Sequence, residues 1–224
     1  MRKLILFDID GTLIHTGGAG TLSMNKAFFE LFSIQDAFKN IPMAGKTDKQ
    51  IMKEGLISHS LPYMDGNVDL LVKGYLQNLR VEIHNPQRKL KPGIIEVLNV
   101  LREKGAALGL LTGNLEQGAL IKLEAFDLNE YFLDGAFGSD HEDRNRLLPV
   151  ALEKFSKRGL SFSAGDCIVV GDTPLDVQCA KVHGARCLAV ATGPYTKEQL
   201  LNTDADIVFD SLADTERCLE FIRE

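Results

Sequence analysis

The feature that most restricts the fold is a set of short apolar runs, each of which ends in a small or acidic residue. They are KLILFD (3–8), AALGLLTGN (106–114), CIVVGD (167–172), RCLAVATG (186–193) and DIVFD (206–210). Runs without polar alternation are typical of strands buried on both faces of a sheet. Helical patterns at 91–105, 147–159 and 173–184 separate most of them. The alternation predicts an α/β fold with a parallel sheet and helices on both faces.

Residues 15–85 interrupt this alternation. Segments 18–32 and 64–79 have helical patterns, and no convincing strand lies between them. We expect a core formed by residues 1–14 and 86–224, with residues 15–85 inserted after the first strand as a helical lobe. The glycines of HTGGAG (15–20) would form a hinge into this lobe. Two crossover helices within one domain are the alternative, although crossovers rarely need ~70 residues.

Composition excludes several classes of partner. The 224 residues carry a net charge of −6 and no basic block, so neither nucleic acid nor an anionic membrane is an expected partner. Asp8 ends the N-terminal apolar run too early for a signal peptide, and no run approaches the ~18 apolar residues of a membrane span. We expect a cytoplasmic protein. Its four cysteines, which form no C-x-x-C pair, are expected to be reduced and buried.

Polar side chains collect where three of the predicted strands end. The three groups are Asp8, Asp10 and Thr12; Thr112, Gly113 and Asn114; and Asp172, Thr173 and Asp176. Ligands of open parallel sheets bind beyond the carboxyl ends of the strands. Four converging acids are costly without a counter-charge, which a hard cation such as Mg²⁺ would supply. Each segment alone also fits a turn or a helix cap, but all three at successive strand ends favour a site.

The motifs DIDGT, LLTGN and VVGDTPLD resemble, in this order, motifs one, two and four of the haloacid dehalogenase-like hydrolase superfamily. The resemblance extends over the whole chain and includes the insertion after motif one, which is similar to the helical cap of that superfamily. It implies a Rossmann-like core. The segment AGKTDKQ (44–50) further resembles a cap segment of the phosphoglycolate phosphatase-like members.

The resemblance implies a role for each acid. Asp8 would be the nucleophile that becomes an aspartyl phosphate, and Asp10 would protonate the leaving alcohol and then deprotonate water. The side chains of Asp8 and Asp172, with the backbone carbonyl of Asp10, would hold Mg²⁺. Asp176 would lie behind these ligands or orient the cation of motif three. Spacing agrees, because strand residues two apart point the same way, and Asp8 and Asp10 can therefore reach one phosphate if the chain bends at Gly11.

The resemblance also implies a set of groups that bind the phosphate and the substrate. The predicted set is Thr12, Thr112, Gly113, Asn114 and Lys46. Lys46 or Thr47 would touch the leaving group. Alternatively, Thr47 is the N-cap of a helix, and both statements can hold together.

Motif three is the point at which this sequence departs from the family pattern. The family expects Lys or Arg upstream of motif four, often in K-P-x-P, and this segment is missing. Residues 139–155 fill the expected place, with Arg144 and Arg146 just before a helix. We favour Arg144, which lies in a DRN segment that some relatives carry, over Arg146. Lys154 and Lys157 fit the solvated face of that helix.

The leading hypothesis is a Mg²⁺-dependent phosphatase that acts on a small phosphate monoester, as a monomer or a homodimer. A phosphomutase of the β-phosphoglucomutase type shares Asp8 and Asp10 and is the main alternative. A pyrophosphate or nucleotide hydrolase also fits, and a phosphonate hydrolase would need Lys46 as a Schiff-base lysine. Haloacid dehalogenases lack the acid found here at Asp10. A non-catalytic binding protein on this fold should have lost Asp8, Asp10 or Asp172.

Overall fold

The computed structural model describes residues 3–224, which form a central sheet with helices on both faces and a group of three helices that follows the first strand in the chain. In chain order the strands are β1 (Leu4–Phe7), β2 (Ile14–His15), β3 (Lys89–Leu90), β4 (Ala107–Thr112), β5 (Asp134–Phe137), β6 (Cys167–Gly171), β7 (Arg186–Val190) and β8 (Ile207–Phe209). The helices are α1 (Ala19–Phe32), α2 (Asp48–Ser58), α3 (Asp65–Glu82), α4 (Ile94–Glu103), α5 (Glu116–Glu124), α6 (Leu147–Lys157), α7 (Pro174–Lys181), α8 (Lys197–Leu201) and α9 (Thr215–Arg223).

Six strands of the described chain form the main sheet, in the order β5-β4-β1-β6-β7-β8, and every neighbouring pair is parallel. Strand β1 lies between β4 and β6, so that Leu4 pairs with both Ala107 and Cys167. Parallel pairing brings the carboxyl ends of these three strands to one edge of the sheet.

The apolar runs form buried strands because both faces of the sheet are covered. Ile5 and Phe7 face a core shared with α4, α5 and α9, whereas Leu4 and Leu6 face a second core shared with α6, α7 and α8. All four side chains are fully buried. The predicted α/β fold class is therefore confirmed, and the five predicted strands are β1, β4, β6, β7 and β8.

Strand β5 was not predicted from the sequence. Its four residues, DGAF, include few of the β-branched side chains that mark a strand. Gly135 lies so close to β4 that an added Cβ would be 2.7 Å from the Cβ of Leu110. The strand is thus held by pairing with β4, at a position too narrow for a side chain larger than that of glycine. Local sequence patterns do not reveal such pairing.

Helices α1, α2 and α3 lie within residues 15–85 and pack around a third apolar core, which includes Phe28, Met52 and Tyr75 and extends to Ile121 of α5. The chain leaves and re-enters the sheet domain through two adjacent short strands, because β2 and β3 pair antiparallel. Gly17 and Gly18, in the predicted hinge, have positive φ angles of 66° and 83°. The division of the chain at residues 14/15 and 85/86 stays a prediction.

Two further expectations concern the cysteines and the membrane. The four thiols are buried and unpaired, and burial raises the pKa of Cys167 to about 12 and that of Cys179 to about 11. Among residues 3–224, no helix combines the length and the apolar character that crossing a membrane requires.

Candidate active site

A cleft of about 580 Å³ lies between the carboxyl ends of β1, β4 and β6 and the insertion formed by α1–α3. Its floor includes Asp8, Thr112 and Asp172, which follow or end these three strands, and its opposite wall includes Met24 and Ile51 of the insertion. Motifs that lie between 60 and 164 residues apart in the sequence, measured between Asp8, Thr112 and Asp172, therefore meet in one cavity.

Arg144 provides the cation at the base of the cleft. It lies in a 3₁₀ turn just before α6, is 6% exposed, and its Nη2 donates to Asp8 Oδ1 at 2.9 Å and to Asp176 Oδ1. Its Nη1 donates to the carbonyl oxygen of Gly45, in the insertion, at 3.1 Å. Arg146 is exposed and does not line the cleft. Of the two candidate arginines, the structure therefore brings Arg144 to the acids.

Asp176 faces this arginine from the first turn of α7. Its second oxygen, Oδ2, accepts from the backbone N–H of Thr173 at 2.9 Å and from the Thr173 hydroxyl at 2.7 Å. Thr173 Oγ1 in turn accepts from the backbone N–H of Asp176, which completes a capping box at the helix N-terminus. Both oxygens are thus occupied by protein donors. This geometry suits the orienting role considered for Asp176 better than direct binding of a metal.

Asp172 is buried with one oxygen bonded and the other free. Thr12 Oγ1 donates to Asp172 Oδ1 at 2.9 Å, whereas Oδ2 has no hydrogen-bond partner among residues 3–224. Glycines close around the free oxygen, since a Cβ at Gly193 or Gly11 would lie 1.6 or 2.4 Å from it. Thr12 does not line the cleft. The structure therefore gives the Thr12 hydroxyl a carboxylate partner where the sequence predicted a phosphate.

The acids at the base of the cleft outnumber the cations there. Burial raises the pKa of Asp8 to about 7, although the guanidinium of Arg144 opposes the shift. Burial and the nearby charge of Asp8 raise the pKa of Asp172 well above its usual value. Carboxylate oxygens of Asp8, Asp172 and Asp176 lie within 4.8 Å of one another. A hard divalent cation fits here, because Asp172 Oδ2 has no partner among the described residues and the three carboxylates outnumber the single guanidinium of Arg144.

Asp10 lies outside that buried cluster, with its side chain 40% exposed. Its Oδ2 accepts from Asn114 Nδ2 at 2.8 Å and from Lys122 Nζ at 2.6 Å. Asn114 Nδ2 also donates to Thr112 Oγ1 at 2.8 Å. The predicted phosphate ligands Thr112 and Asn114 do line the cleft, and the Asn114 amide is bonded to Asp10.

Lys122 is a site residue that the sequence analysis missed. It lies on α5, is 3% exposed, and its Nζ contacts Asn114 Oδ1 at 2.5 Å as well as Asp10. Its position in the sequence could have identified it, because it shares a helix face with the buried Gly118 and Ala119, and an apolar residue is expected on that face. A lysine on the buried stripe of a helix indicates an acidic partner below it.

The segment of the insertion around residue 47 is docked onto motif two. The backbone N–H of Asp48 donates to Gly113 O at 2.8 Å, and Asp48 Oδ2 accepts from the N–H of Leu115 at 2.9 Å. Gly113 permits this approach, because a Cβ there would lie 2.1 Å from Lys46 O. Burial raises the pKa of Asp48 to about 6.

Thr47 and Lys46 have protein partners in this docked arrangement. Thr47 is the N-cap of α2, accepting from the N–H of Gln50, and it donates to Glu142 O at 2.8 Å. Lys46 lines the cleft and its Nζ pairs with Glu54 at 2.6 Å. Contact of Lys46 with a substrate stays a prediction.

Comparisons with known proteins found a matching family and similar proteins. The family model for haloacid dehalogenase-like hydrolases matches residues 5–190. The phosphoglycolate phosphatase of Rhodospirillum rubrum is 27% identical over 219 residues, which cover 95% of this chain and 89% of that protein. The phosphoglycolate phosphatase of Agrobacterium fabrum is 25% identical over 214 residues, covering 95% and 90%. A solved structure of a predicted phosphoglycolate phosphatase from Haemophilus somnus superposes with a TM-score of 0.74 at 20% identity, covering 98% and 99%. That last likeness shows the fold.

Proposed function

Since the chain belongs to the haloacid dehalogenase-like hydrolase family, we propose that it is a Mg²⁺-dependent phosphatase that hydrolyses a small-molecule phosphate monoester through an aspartyl phosphate on Asp8. The chain is a phosphoric monoester hydrolase similar to phosphoglycolate phosphatases. The metal, the covalent intermediate and the roles of individual residues are the proposed part of this function.

The observation that carries the proposal is the position of Asp8 at the end of β1, at the base of the cleft and 2.9 Å from Arg144. The buried guanidinium orients this carboxylate and opposes the effect of burial on its pKa, and the same guanidinium can bind a phosphoryl oxygen. In the first step an Asp8 oxygen attacks phosphorus and the bond from phosphorus to the leaving oxygen breaks. Arg144 neutralises the charge of the transferred group.

Asp10 would serve both half-reactions. In the first, its proton passes to the leaving oxygen, which departs as an alcohol. In the second, its carboxylate takes a proton from water, whose oxygen attacks phosphorus and releases Asp8 and inorganic phosphate. The 40% exposed side chain of Asp10 faces the cleft, where both the alcohol and the water would lie.

The side chains of Asp8 and Asp172 and the backbone carbonyl of Asp10 would hold the Mg²⁺ ion. When bound, the ion supplies the charge that neutralises both carboxylates and the phosphoryl oxygens. The unpartnered Oδ2 of Asp172 supports this assignment. Thr12 would fix the other oxygen of Asp172 and so orient that ligand, as hydrogen-bonded carboxylates commonly do beside metals.

The substrate would be a small molecule, because the cleft of about 580 Å³ is closed on one side by the insertion. The phosphoglycolate phosphatase relatives make a small phosphorylated acid one candidate. The cytoplasmic location and the state of monomer or homodimer stay predictions.

The test is a panel of phosphate monoesters assayed with Mg²⁺ and with EDTA, using the wild-type chain and Asp8→Asn. We expect turnover of at least one ester with Mg²⁺, none in EDTA, and none in the variant under either condition. Turnover by folded Asp8→Asn at the wild-type rate would contradict the proposal. Faster transfer of the phosphoryl group to a sugar phosphate than to water would replace it with the phosphomutase alternative.

A further inference from the structure

Lys122 is a buried cation that the mechanism above does not use. Its side chain is 4% exposed, and removing an ammonium from water is costly unless acidic partners surround it. Two acids face it: Asp10, at 2.6 Å, and Asp48 of the insertion. The charge of Lys122 lowers the pKa of Asp48, but burial raises that pKa by more. Lys122 therefore lines the cleft at a deep position, between the end of β4 and the docked insertion.

Lys122 and its partner Asp10 differ in exposure, and only one oxygen of Asp10 is bound within the described chain, which a purely structural ion pair would not require. Both residues line the cleft, but the side chain of Lys122 is 4% exposed, whereas that of its partner Asp10 is 40% exposed. Both donors to Asp10, Lys122 Nζ and Asn114 Nδ2, bind the same oxygen, Oδ2. Among the described residues, Asp10 Oδ1 has no hydrogen-bond partner.

Lys122 and Asn114 also hold each other's side chains in place. The distance from Lys122 Nζ to Asn114 Oδ1 is 2.5 Å, and Asn114 Nδ2 is held by Thr112 Oγ1 as well as by Asp10. The amide of Asn114 therefore has its oxygen towards the lysine and its nitrogen towards the carboxylate. Three side chains from the ends of β1 and β4 and from α5 thus form one closed network, in which the carboxylate of Asp10 has a single preferred rotation.

We propose that Lys122 is a positioning residue which, together with Asn114, holds Asp10 through Oδ2, so that Oδ1 is the oxygen that exchanges the proton with the leaving group and with water. This inference rests on the proposed phosphatase function. Lys122 acts through Asp10 and does not touch the substrate. Its loss should therefore impair the steps that need Asp10, and leave substrate binding and the attack by Asp8 intact.

The test compares Lys122→Met with Asp10→Asn and with the double variant, on one alkyl phosphate and one aryl phosphate. Methionine preserves the length and apolar body of the side chain and removes the ammonium. Lys154→Met is the matched control, because it removes a lysine from a 2.7 Å ion pair with Asp140 on the core, away from the cleft. Circular dichroism and thermal melting check that each variant folds.

We expect Lys122→Met to lower kcat for the alkyl ester by about 10²-fold, the usual effect of misplacing a proton-transfer group, with KM changed by less than about threefold. With the aryl ester, whose leaving group needs little protonation, we expect a burst of aryl alcohol followed by slow turnover. The double variant should be within about threefold of Asp10→Asn, since both changes remove the same contribution. The control should keep wild-type kinetics.

Equal losses on both esters without a burst, or multiplicative effects in the double variant, would overturn the role of Lys122. A large rise in KM would also overturn it, because it would indicate direct contact with the substrate. If Lys122→Met does not fold, Lys122→Arg keeps the charge and should retain the Asp10-dependent steps better than Lys122→Gln. If the wild type turns over substrate in an Asp8-dependent way and one of these contrary results is found, only the role of Lys122 is refuted. If the wild type shows no turnover, the phosphatase function itself is refuted.

Discussion

Replacement of Asp8 by asparagine should stabilise the metal-free protein at alkaline pH while abolishing its activity. Burial raises the pKa of Asp8 from 3.8 to about 7, so the folded state binds the proton of this carboxyl more tightly than the unfolded state does. The stability contributed by Asp8 is therefore fully present below pH 3.8 and is lost as the pH rises through 7. Asparagine cannot ionise, so the variant should not show this loss.

The pKa difference of roughly three units corresponds to about 4 kcal/mol in the free energy of unfolding. At pH 8 in EDTA, Asp8→Asn should exceed the wild type by up to that amount. For a chain of this size, such a difference corresponds to a rise in Tm of about 10 °C. The difference should shrink steadily as the pH falls and vanish near pH 4. Mg²⁺ should reduce it at pH 8, because the ion compensates the charge in the wild type.

The assay is urea unfolding followed by circular dichroism in EDTA at several pH values, since the chain has no tryptophan for fluorescence. Asp206→Asn is the control. Burial alone would raise the pKa of Asp206, but Lys181 and the N–H of Cys187 lower it overall. That variant should therefore lose stability at pH 8. A destabilised Asp8→Asn at pH 8, or a difference that does not change with pH, would refute the reasoning.

Three further predictions follow from the cleft. Excess EDTA should abolish turnover, and Mg²⁺ or Mn²⁺ should restore it, because an oxygen-rich site selects weakly among hard divalent ions; full activity in metal-free protein, with the metal content measured, would contradict the metal assignment. Asp10→Asn should release aryl alcohol in a burst equal to the enzyme concentration and then turn over slowly, as measured by stopped-flow absorbance; hydrolysis of alkyl and aryl esters at wild-type rates would show that Asp10 has no such role. Gly113→Ala should lower kcat/KM by about 10²-fold, because its Cβ would lie 2.1 Å from Lys46 O and displace the docked insertion. Gly118→Ala, whose Cβ would meet atoms no closer than 3.6 Å, is the matched control and should retain activity.

The sequence predicted the fold well because the controlling pattern is local. Strands β1, β4 and β6 are apolar runs, and each run ends where the chain turns towards the cleft. Parallel pairing then places Asp8, Thr112 and Asp172 at one edge of the sheet, so their proximity follows from the strand assignments alone. Strand β5 escaped prediction because pairing with β4, and not its own side chains, stabilises it.

The rest of the site depends on contacts between distant segments, which a single sequence does not display. Arg144 and Arg146 are both plausible cations in the sequence, and they differ only because the 3₁₀ turn buries one and exposes the other. Thr12 faces Asp172 because β1 and β6 are neighbours. Lys122 lies eight residues after Asn114, yet its ammonium reaches the carboxylate of Asp10 that the Asn114 amide also binds, and this contact depends on how α5 is oriented after β4.

The most direct test of the central claim is to identify the residue that carries the phosphoryl group. Asp10→Asn, which should slow hydrolysis of the intermediate, is mixed with an aryl phosphate and Mg²⁺, quenched in acid, digested, and mapped by mass spectrometry. We predict one phosphoryl group per chain on Asp8, and none when Asp8→Asn is added to the same protein. Phosphorylation of another residue, or a burst of aryl alcohol with no phosphorylated peptide, would contradict covalent catalysis by Asp8.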